Sequence, residues 1–467
     1  SRFSNDLIET FNNADPEFLL VDTAGGDATQ KESTGLFSLY AGFDYDYKNK
    51  YLLGATIRRD GSSKFGANNK YGIFPSVTAG WRVSKENFLR GNSVIKNLLV
   101  KASYGIVGND RIPNYNFTSS LVPGADYNGE TGFAPSRLGN ADLRWEETES
   151  TNLQLDMSMF KGRRLNLSLA FWRKVTDGLL VNTEIPEESG FNNIRENRGV
   201  VRNQGIDFEI SGTILKTKDF SWKSGFNIGL LENTVQELDV PIRTGRFITE
   251  EGSPIGNIWG YKNHGVFQYD ESNAFTPSGD RLFPNFDSNG FFLGTYNMAN
   301  GEQYPLDGEI KQLVHGSTRN ILKGGDYIWD DANGDFVINS DDEQVLGNGL
   351  PTTYGGFSHD LTYKNWTLGT LFDYSYGNEI YRRYDHDRNS LRATVLTVSP
   401  DRLDNAWQNQ GDIAQYPILQ AGRARNQNRF DFTNSTANST YVSDGSFIRW
   451  RYVRLGYKFP KDVLKQI

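Results

Sequence analysis

A strict alternation of apolar and polar residues, sustained for a dozen positions at a time, limits what this 467-residue chain can fold into more than any other feature of it. Phe37, Leu39, Ala41, Phe43, Tyr45 and Tyr47 interleave with Ser38, Tyr40, Gly42, Asp44, Asp46 and Lys48. Successive side chains of a strand point to opposite faces, so the segment presents one apolar wall and one polar wall. The pattern returns at Leu165, Leu167, Leu169 and Phe171, at Ile206, Phe208 and Ile210, and at Trp366, Leu368, Phe372 and Tyr374. In all, eleven strands are expected at roughly 34–47, 51–60, 71–83, 98–107, 145–160, 165–176, 200–215, 220–235, 353–364, 366–376 and 446–459.

Strands of soluble domains commonly stop after about 5 or 6 residues. Long strands with charges on one face and rings on the other suit a wall between lipid and a wet lumen. The connections sharpen this. Lys48-Asn49-Lys50, Lys161-Gly162-Arg163-Arg164, Lys216-Thr217-Lys218-Asp219 and Lys364-Asn365 are tight turns, whereas 108–144, 177–199, 236–352 and 377–445 are long polar loops. Short turns at one end and long loops at the other are the pattern of outer-membrane barrels. A secreted β-rich protein, such as a sandwich array or propeller, is the alternative, but its repeats would recur at a fixed period and none is present.

Composition removes other classes. With 49 Lys and Arg against 57 Asp and Glu the formal charge is −8, which excludes a nucleic-acid binder acting through bulk positive charge. There is no Cys, so disulfide scaffolds, thiol nucleophiles and Cys-held metals are out. His264, His315, His359 and His386 are scattered without metalloenzyme spacing. No apolar run of about 18 residues supplies a transmembrane helix, and an alternating barrel needs none.

Specific strings then carry a resemblance. Lys50-Tyr51-Leu52-Leu53 leads to Arg59-Asp60-Gly61-Ser62-Ser63-Lys64-Phe65-Gly66 and to Lys70-Tyr71-Gly72-Ile73-Phe74-Pro75-Ser76-Val77-Thr78-Ala79-Gly80-Trp81-Arg82. Leu143-Arg144-Trp145-Glu146, Asn203-Gln204-Gly205-Ile206-Asp207, Trp259-Gly260-Tyr261-Lys262 and Leu455-Gly456-Tyr457-Lys458-Phe459-Pro460 follow. From about residue 34 onward the chain resembles the SusC/RagA family of TonB-dependent outer-membrane transporters. The resemblance implies a 22-strand antiparallel transmembrane barrel, of which eleven strands are about half. An odd strand count supports a fragment, because a closed bacterial barrel needs an even number and paired edges. Accordingly, 1–33 is expected to be a loop region ahead of the first clear strand, 34–235 barrel strands, 236–352 a long extracellular loop, and 353–467 further strands and loop.

Within 236–352, Asp331-Ala332-Asn333-Gly334-Asp335-Phe336-Val337-Ile338-Asn339-Ser340-Asp341-Asp342 reads as a twelve-residue calcium loop. Calcium takes six to eight hard oxygens, here from Asp331, Asn333, Asp335, Asn339, Asp342 and the carbonyl of Val337, while Ile338 anchors the loop. Two departures stand out: position 6, usually Gly, is Phe336, and position 12 is Asp rather than Glu. The carboxylates of Glu146, Glu147 and Glu149 are expected on a wet lumen wall rather than in a glycosidase site. Gly324-Gly325 and Gly355-Gly356 lack the Lys of a phosphate loop. Trp81, Tyr104, Trp259, Tyr261, Tyr376 and Trp407 carry rings able to stack on sugars, although girdles and loop packing are their commoner use.

The resemblance implies an importer of large nutrients, oligosaccharides ahead of peptides, and not an enzyme. It also implies a SusD-like lipoprotein as lid and TonB acting through a portion outside this sequence. A barrel serving as scaffold in an outer-membrane complex is the alternative within the same fold.

Overall fold

The computed structural model describes residues 20–21, 34–123, 125, 128, 132–316, 319–389, 399–419 and 437–460. Apart from the two-residue strand Leu20–Val21, the expected loop region 1–33 lies outside these residues, as do 390–398 and 420–436 of the expected loop 377–445.

All eleven expected strands form, and they form one sheet. They are β1 (Leu36–Tyr47), β2 (Tyr51–Ser62), β3 (Tyr71–Trp81), β4 (Ile95–Asn109), β5 (Glu146–Met159), β6 (Leu165–Asp177), β7 (Val200–Lys216), β8 (Phe220–Glu237), β9 (Thr353–Tyr363), β10 (Trp366–Tyr376) and β11 (Phe447–Tyr457). Each pairs antiparallel with the next in chain order, and β1 and β11 are the open edges. No helix among the described residues is long and apolar enough to cross a membrane; the strands carry the apolar surface instead.

Register explains how. Directly paired residues share a face, so one row runs Leu98, Met157, Leu167, Ile210, Phe226, Phe357, Phe372 and Trp450 across eight strands. A second row runs Tyr45, Leu53, Ala79, Ala102, Leu153, Phe171, Ile206 and Leu230. Among the described residues nothing covers this face at Leu153, 53% exposed, or at Phe171, 45% exposed. The other face carries the polar partners, and every non-glycine buried residue of the eleven strands lies on it: Asp60, Ser62, Phe74, Val201, Asn233 and Val235. Loops therefore fold over the polar face at the long-loop end. Phe74 packs with Phe65 and Trp145 there, and Val201 and Val235 pack with Leu238.

At the opposite end, Lys48 and Asn49 both take φ of 53°, giving the mirror-image turn whose twist matches a hairpin. The alternation of connection lengths is not absolute. The β3–β4 connection, on the tight-turn side, holds two short 3-10 turns, Val83–Lys85 and Asn87–Leu89. Glu86 between them accepts from Tyr51 Oη at 2.7 Å, Lys50 Nζ at 3.0 Å and Trp81 Nε1 at 3.2 Å. These bonds tie the connection to the aromatic end of the wall.

The segment 236–352 is more than a loop. Ile242–Thr244, Phe247–Thr249, Asn257–Tyr261 and Gln344–Asn348 make a small antiparallel sheet, which Ala437–Asn438 extends in parallel. A core of Tyr261, Phe267, Leu322, Tyr327, Trp329, Ile338 and Trp407 packs beside it. Trp407 and Ala437 come from the next long loop, so two loops separated by β9 and β10 build one lobe. The lobe is tied to the wall where Ile255 N donates to Asn233 Oδ1 at 2.7 Å, and Asn233 Nδ2 donates to Asn203 Oδ1 at 2.7 Å.

Candidate functional site: the polar wall face and the acidic loop

Strand parity places alternating charges and hydroxyls on the covered face. Lys101 Nζ pairs with Asp156 at 2.7 Å, and Asp156 also accepts from Ser168 Oγ at 2.9 Å and Gln154 Nε2 at 2.8 Å. Arg58 Nε reaches Asp60 at 2.7 Å and Arg449 Nε reaches Asp373 at 3.1 Å. Lys101–Asp156 and Arg449–Asp373 bridge neighbouring strands while Arg58–Asp60 lies along one strand, and together they leave a surface of amides, hydroxyls and paired ions suited to hydrogen bonding with polar ligands. Tyr40, Trp172 and Tyr354 add rings to the same face. No sequence motif marks these three. The signal that finds them is parity, since each ring sits where its strand's polar set belongs.

The six rings singled out in the sequence lie elsewhere. Trp81, Tyr104 and Tyr376 share the apolar outward face, with Tyr376 at the long-loop end. Tyr261 and Trp407 are buried in the lobe core, and Trp259 Nε1 donates to Glu343 Oε2 at 2.8 Å. The carboxylates divide as well. Glu146 accepts from Asn109 Nδ2 at 2.9 Å and from Leu180 N at 3.2 Å, a structural use. Glu147 and Glu149, expected on the lumen wall, instead share the outward face with Leu153 and Leu155, beyond the apolar rows at the long-loop end. Parity decides their face, and height along the strand decides their neighbours. Gly355 is a packing position, because a Cβ there would lie 2.2 Å from the Asn227 carbonyl oxygen.

The acidic loop turns sharply at Phe336, one of the two departures from the calcium-loop pattern. Phe336 takes φ of 63°, the left-handed turn that position 6 requires and that a Gly would take without strain. Its ring packs against the lobe core near Phe275, which holds it there. Val337–Ile338 pairs in parallel with Val314–His315, and Ile338 is fully buried.

The loop's carboxylates face its own N–H groups. Asp331 Oδ1 accepts from Gly334 N and Asp335 N, and its Oδ2 accepts from Phe336 N. Asn333 Oδ1 also accepts from Asp335 N, and Asp335 Oδ1 accepts from Val337 N. Asp342 is fully buried, with Oδ1 accepting from Ala332 N and Oδ2 from Asn339 N; burial raises its carboxyl above the usual range. Asn339 Oδ1 accepts from Asp341 N while its Nδ2 donates to the Val337 carbonyl. The residues supply the oxygen types and turn that calcium uses. Among the described residues, however, no group of three Asp, Glu or His side chains is placed to hold a metal ion.

Comparison with known proteins follows the same lines. The family described as TonB dependent receptor-like, beta-barrel matches residues 1–313. A TonB-dependent receptor of Formosa agariphila is 46% identical over all of this chain, which spans 43% of that protein. The TonB-dependent receptor SusC of Bacteroides thetaiotaomicron is 27% identical over 93% of this chain and 39% of its own length. Among solved structures, the RagAB peptide transporter is similar with a TM-score of 0.69 at 22% identity, over 93% of this chain and 42% of that one. The chain thus spans less than half the length of the curated relatives it matches.

Proposed function

The chain belongs to the TonB-dependent receptor β-barrel family, a family of the outer membrane, and from that membership we propose that it forms part of the wall of an energy-coupled importer of large nutrients. The observation that carries the reading is the eleven-strand sheet with uninterrupted apolar rows on one face and paired ions, amides and rings on the other. The apolar face meets lipid and the polar face lines the conduit. Strands at the two open edges, β1 and β11, pair with portions of the protein outside this sequence. The lobe and long loops face outward from the cell and seat a SusD-like lipoprotein lid, and TonB acts on a plug held inside the barrel. No catalytic step belongs to this reading.

The cargo is an oligosaccharide in this proposal, with a peptide as the alternative. Hydroxyl, amide and carboxylate groups beside Tyr40, Trp172 and Tyr354 are the chemistry that holds polyols and stacks on sugar rings. The loop from Asp331 to Asp342 takes calcium, held by Asp331, Asn333, Asp335, Asn339, Asp342 and the Val337 carbonyl; the ion's role is to brace the lobe. Support comes from the hard-oxygen donors and from the left-handed turn at Phe336.

The test is uptake of fluorescent oligosaccharides and peptides by cells carrying the full-length protein, with and without TonB. Loss of uptake on removing TonB is expected, with sugars preferred. Uptake indifferent to both TonB and the protein, together with co-purification of other surface proteins, would replace import with a scaffold role.

A further inference from the structure

The four tight turns, at 48–50, 161–164, 216–219 and 364–365, hold eight Lys or Arg and a single acid, Asp219, in a chain whose net charge is −8. All eight cations but Lys50 are exposed, and among the described residues only Lys50 is in an ion pair, with Glu86 at 3.0 Å. The opposite rim of the outward face is mixed in sign. Glu147, Glu149 and Arg173 share it, and Arg202 pairs with Glu232 across two strands at 3.0 Å. At the tight-turn end, two of the cations sit over rings of the apolar face. Lys48 Nζ lies 5.0 Å from the centroid of Tyr47, and Lys364 Nζ lies 5.5 Å from that of Tyr363. Both rings face outward, Tyr47 opposite Tyr51 and Tyr363 opposite Trp366, and they are 44% and 54% exposed. Trp81, opposite Tyr51 on the next strand, continues the same belt.

Cations gathered without acids repel one another and draw anions to this end of the wall. An aromatic belt sits where hydrocarbon gives way to headgroups, and Lys or Arg just beyond it reaches the level of the phosphates by laying its stem along the rings. Each such cation strengthens attraction to an anionic leaflet by about fivefold. A zwitterionic headgroup carries its own ammonium and offers little net attraction. We propose that the tight-turn rim is a binding surface for the headgroups of anionic phospholipids, with Lys48 and Lys364 seated over the belt rings and Arg163 and Arg164 presenting forked N–H donors to phosphate. The occupant is the membrane leaflet and not a soluble acidic protein, because Tyr47 and Tyr363 hold their cations beside the apolar outward face. The proposal rests on the reading of this sheet as a membrane wall and needs nothing of the import step.

The experiment uses the full-length receptor, stripped of lipid in detergent and then offered phosphatidylglycerol and phosphatidylcholine of the same acyl chains in equal amounts. Lipid retained through gel filtration is counted by mass spectrometry. The native protein should prefer phosphatidylglycerol by about tenfold or more at low salt. That preference should fall toward parity at about 1 M salt, where the screening length is about 3 Å. Lys48→Gln with Lys364→Gln, and separately Arg163→Gln with Arg164→Gln, should each weaken it by about fivefold or more. Arg59→Gln removes a cation lying 4.4 Å over Tyr71 at the opposite rim and should leave the preference unchanged. Unfolding midpoints without lipid should match across the variants, and the salt response of the native protein reads the surface without any substitution. Equal retention of the two lipids by the native protein, or as large a loss in Arg59→Gln as in the turn variants, overturns the headgroup surface and leaves the wall standing. A full-length protein that retains neither lipid and stays soluble without detergent refutes the wall, and this proposal with it.

Discussion

Replacing Ile210 with Arg tests which face of the wall meets lipid. On β7 the outward residues from Ile206 to Ile214 are apolar or glycine, a span of eight residues or about 26 Å along the strand at roughly 3.3 Å per residue. Tilted by about 40°, that span covers about 20 Å of membrane, and Ile210 sits at its middle. Its paired neighbours Leu167 and Phe226 offer no polar partner for a guanidinium. An Arg at mid-depth costs about 2–4 kcal/mol and one near the rim about 0–1 kcal/mol. The Ile210→Arg change therefore lowers the folding equilibrium constant by about 30-fold to nearly 1,000-fold. Ile206→Arg, two positions from Gln204 at the polar rim, should cost less. Ser211→Arg, one residue along but on the polar face opposite Asn166 and Gly225, should cost little. The assay is denaturant titration of the full-length protein refolded into lipid vesicles, read by tryptophan fluorescence. Equal losses at Ile210 and Ser211, or a larger loss at Ser211, would refute the assignment of faces.

Other expectations follow from single sites. Trp329 is 2% exposed and its ring lies 5.0 Å from that of Tyr327, so Trp329→Ala should cost the lobe about 3–5 kcal/mol; hydrogen exchange should rise across 257–348 and stay unchanged in β1 to β6. Calcium titration by calorimetry should give a dissociation constant of about 10⁻⁴–10⁻³ M, the range of extracellular sites, and Asp331→Asn with Asp335→Asn should abolish it; no heat in the native protein removes calcium from the reading. Hydrogen bonds from Tyr51, Lys50 and Trp81 hold Glu86 down at about 2 from an ordinary value of 4.5. A lowered acid stabilises the fold fully above its unfolded value, so this contribution is present above about pH 4.5 and is lost as pH falls toward about 2. Trp81 fluorescence should report that acid transition, and Glu86→Gln should remove it.

The wall was legible because a strand in a two-faced sheet writes its period of two directly into the sequence. Strands at Phe37–Tyr47 and Leu165–Phe171 needed no tertiary context to be found, and their ends shifted by only a few residues in the structure. The lobe was hidden for the opposite reason. Tyr261, Phe267, Leu322, Trp329 and Trp407 meet through short strands and turns, so their spacing in the chain follows no period, and the segment reads as polar loop. In the acidic loop, the regular spacing of Asp331, Asn333 and Asp335 was visible. That Phe336 would accept a left-handed backbone was not, because the compensation comes from packing against residues far away in sequence. Glu147 and Glu149 show the limit of parity: it assigns a face but not a height.

The shared core of the lobe also sets an order of assembly. Trp407 and Ala437 enter a structure begun at Ile242, but β9 and β10 are synthesised between the two contributions. The lobe's core thus cannot close until both wall strands have been made and the chain has returned over them. Contacts of such sequence separation form late, since their loop entropy is lost before they reward it. Completion of the lobe is thereby a checkpoint on the wall: a barrel that stalls at β9 or β10 leaves Trp329 and Ile338 uncovered for surveillance by folding factors and proteases.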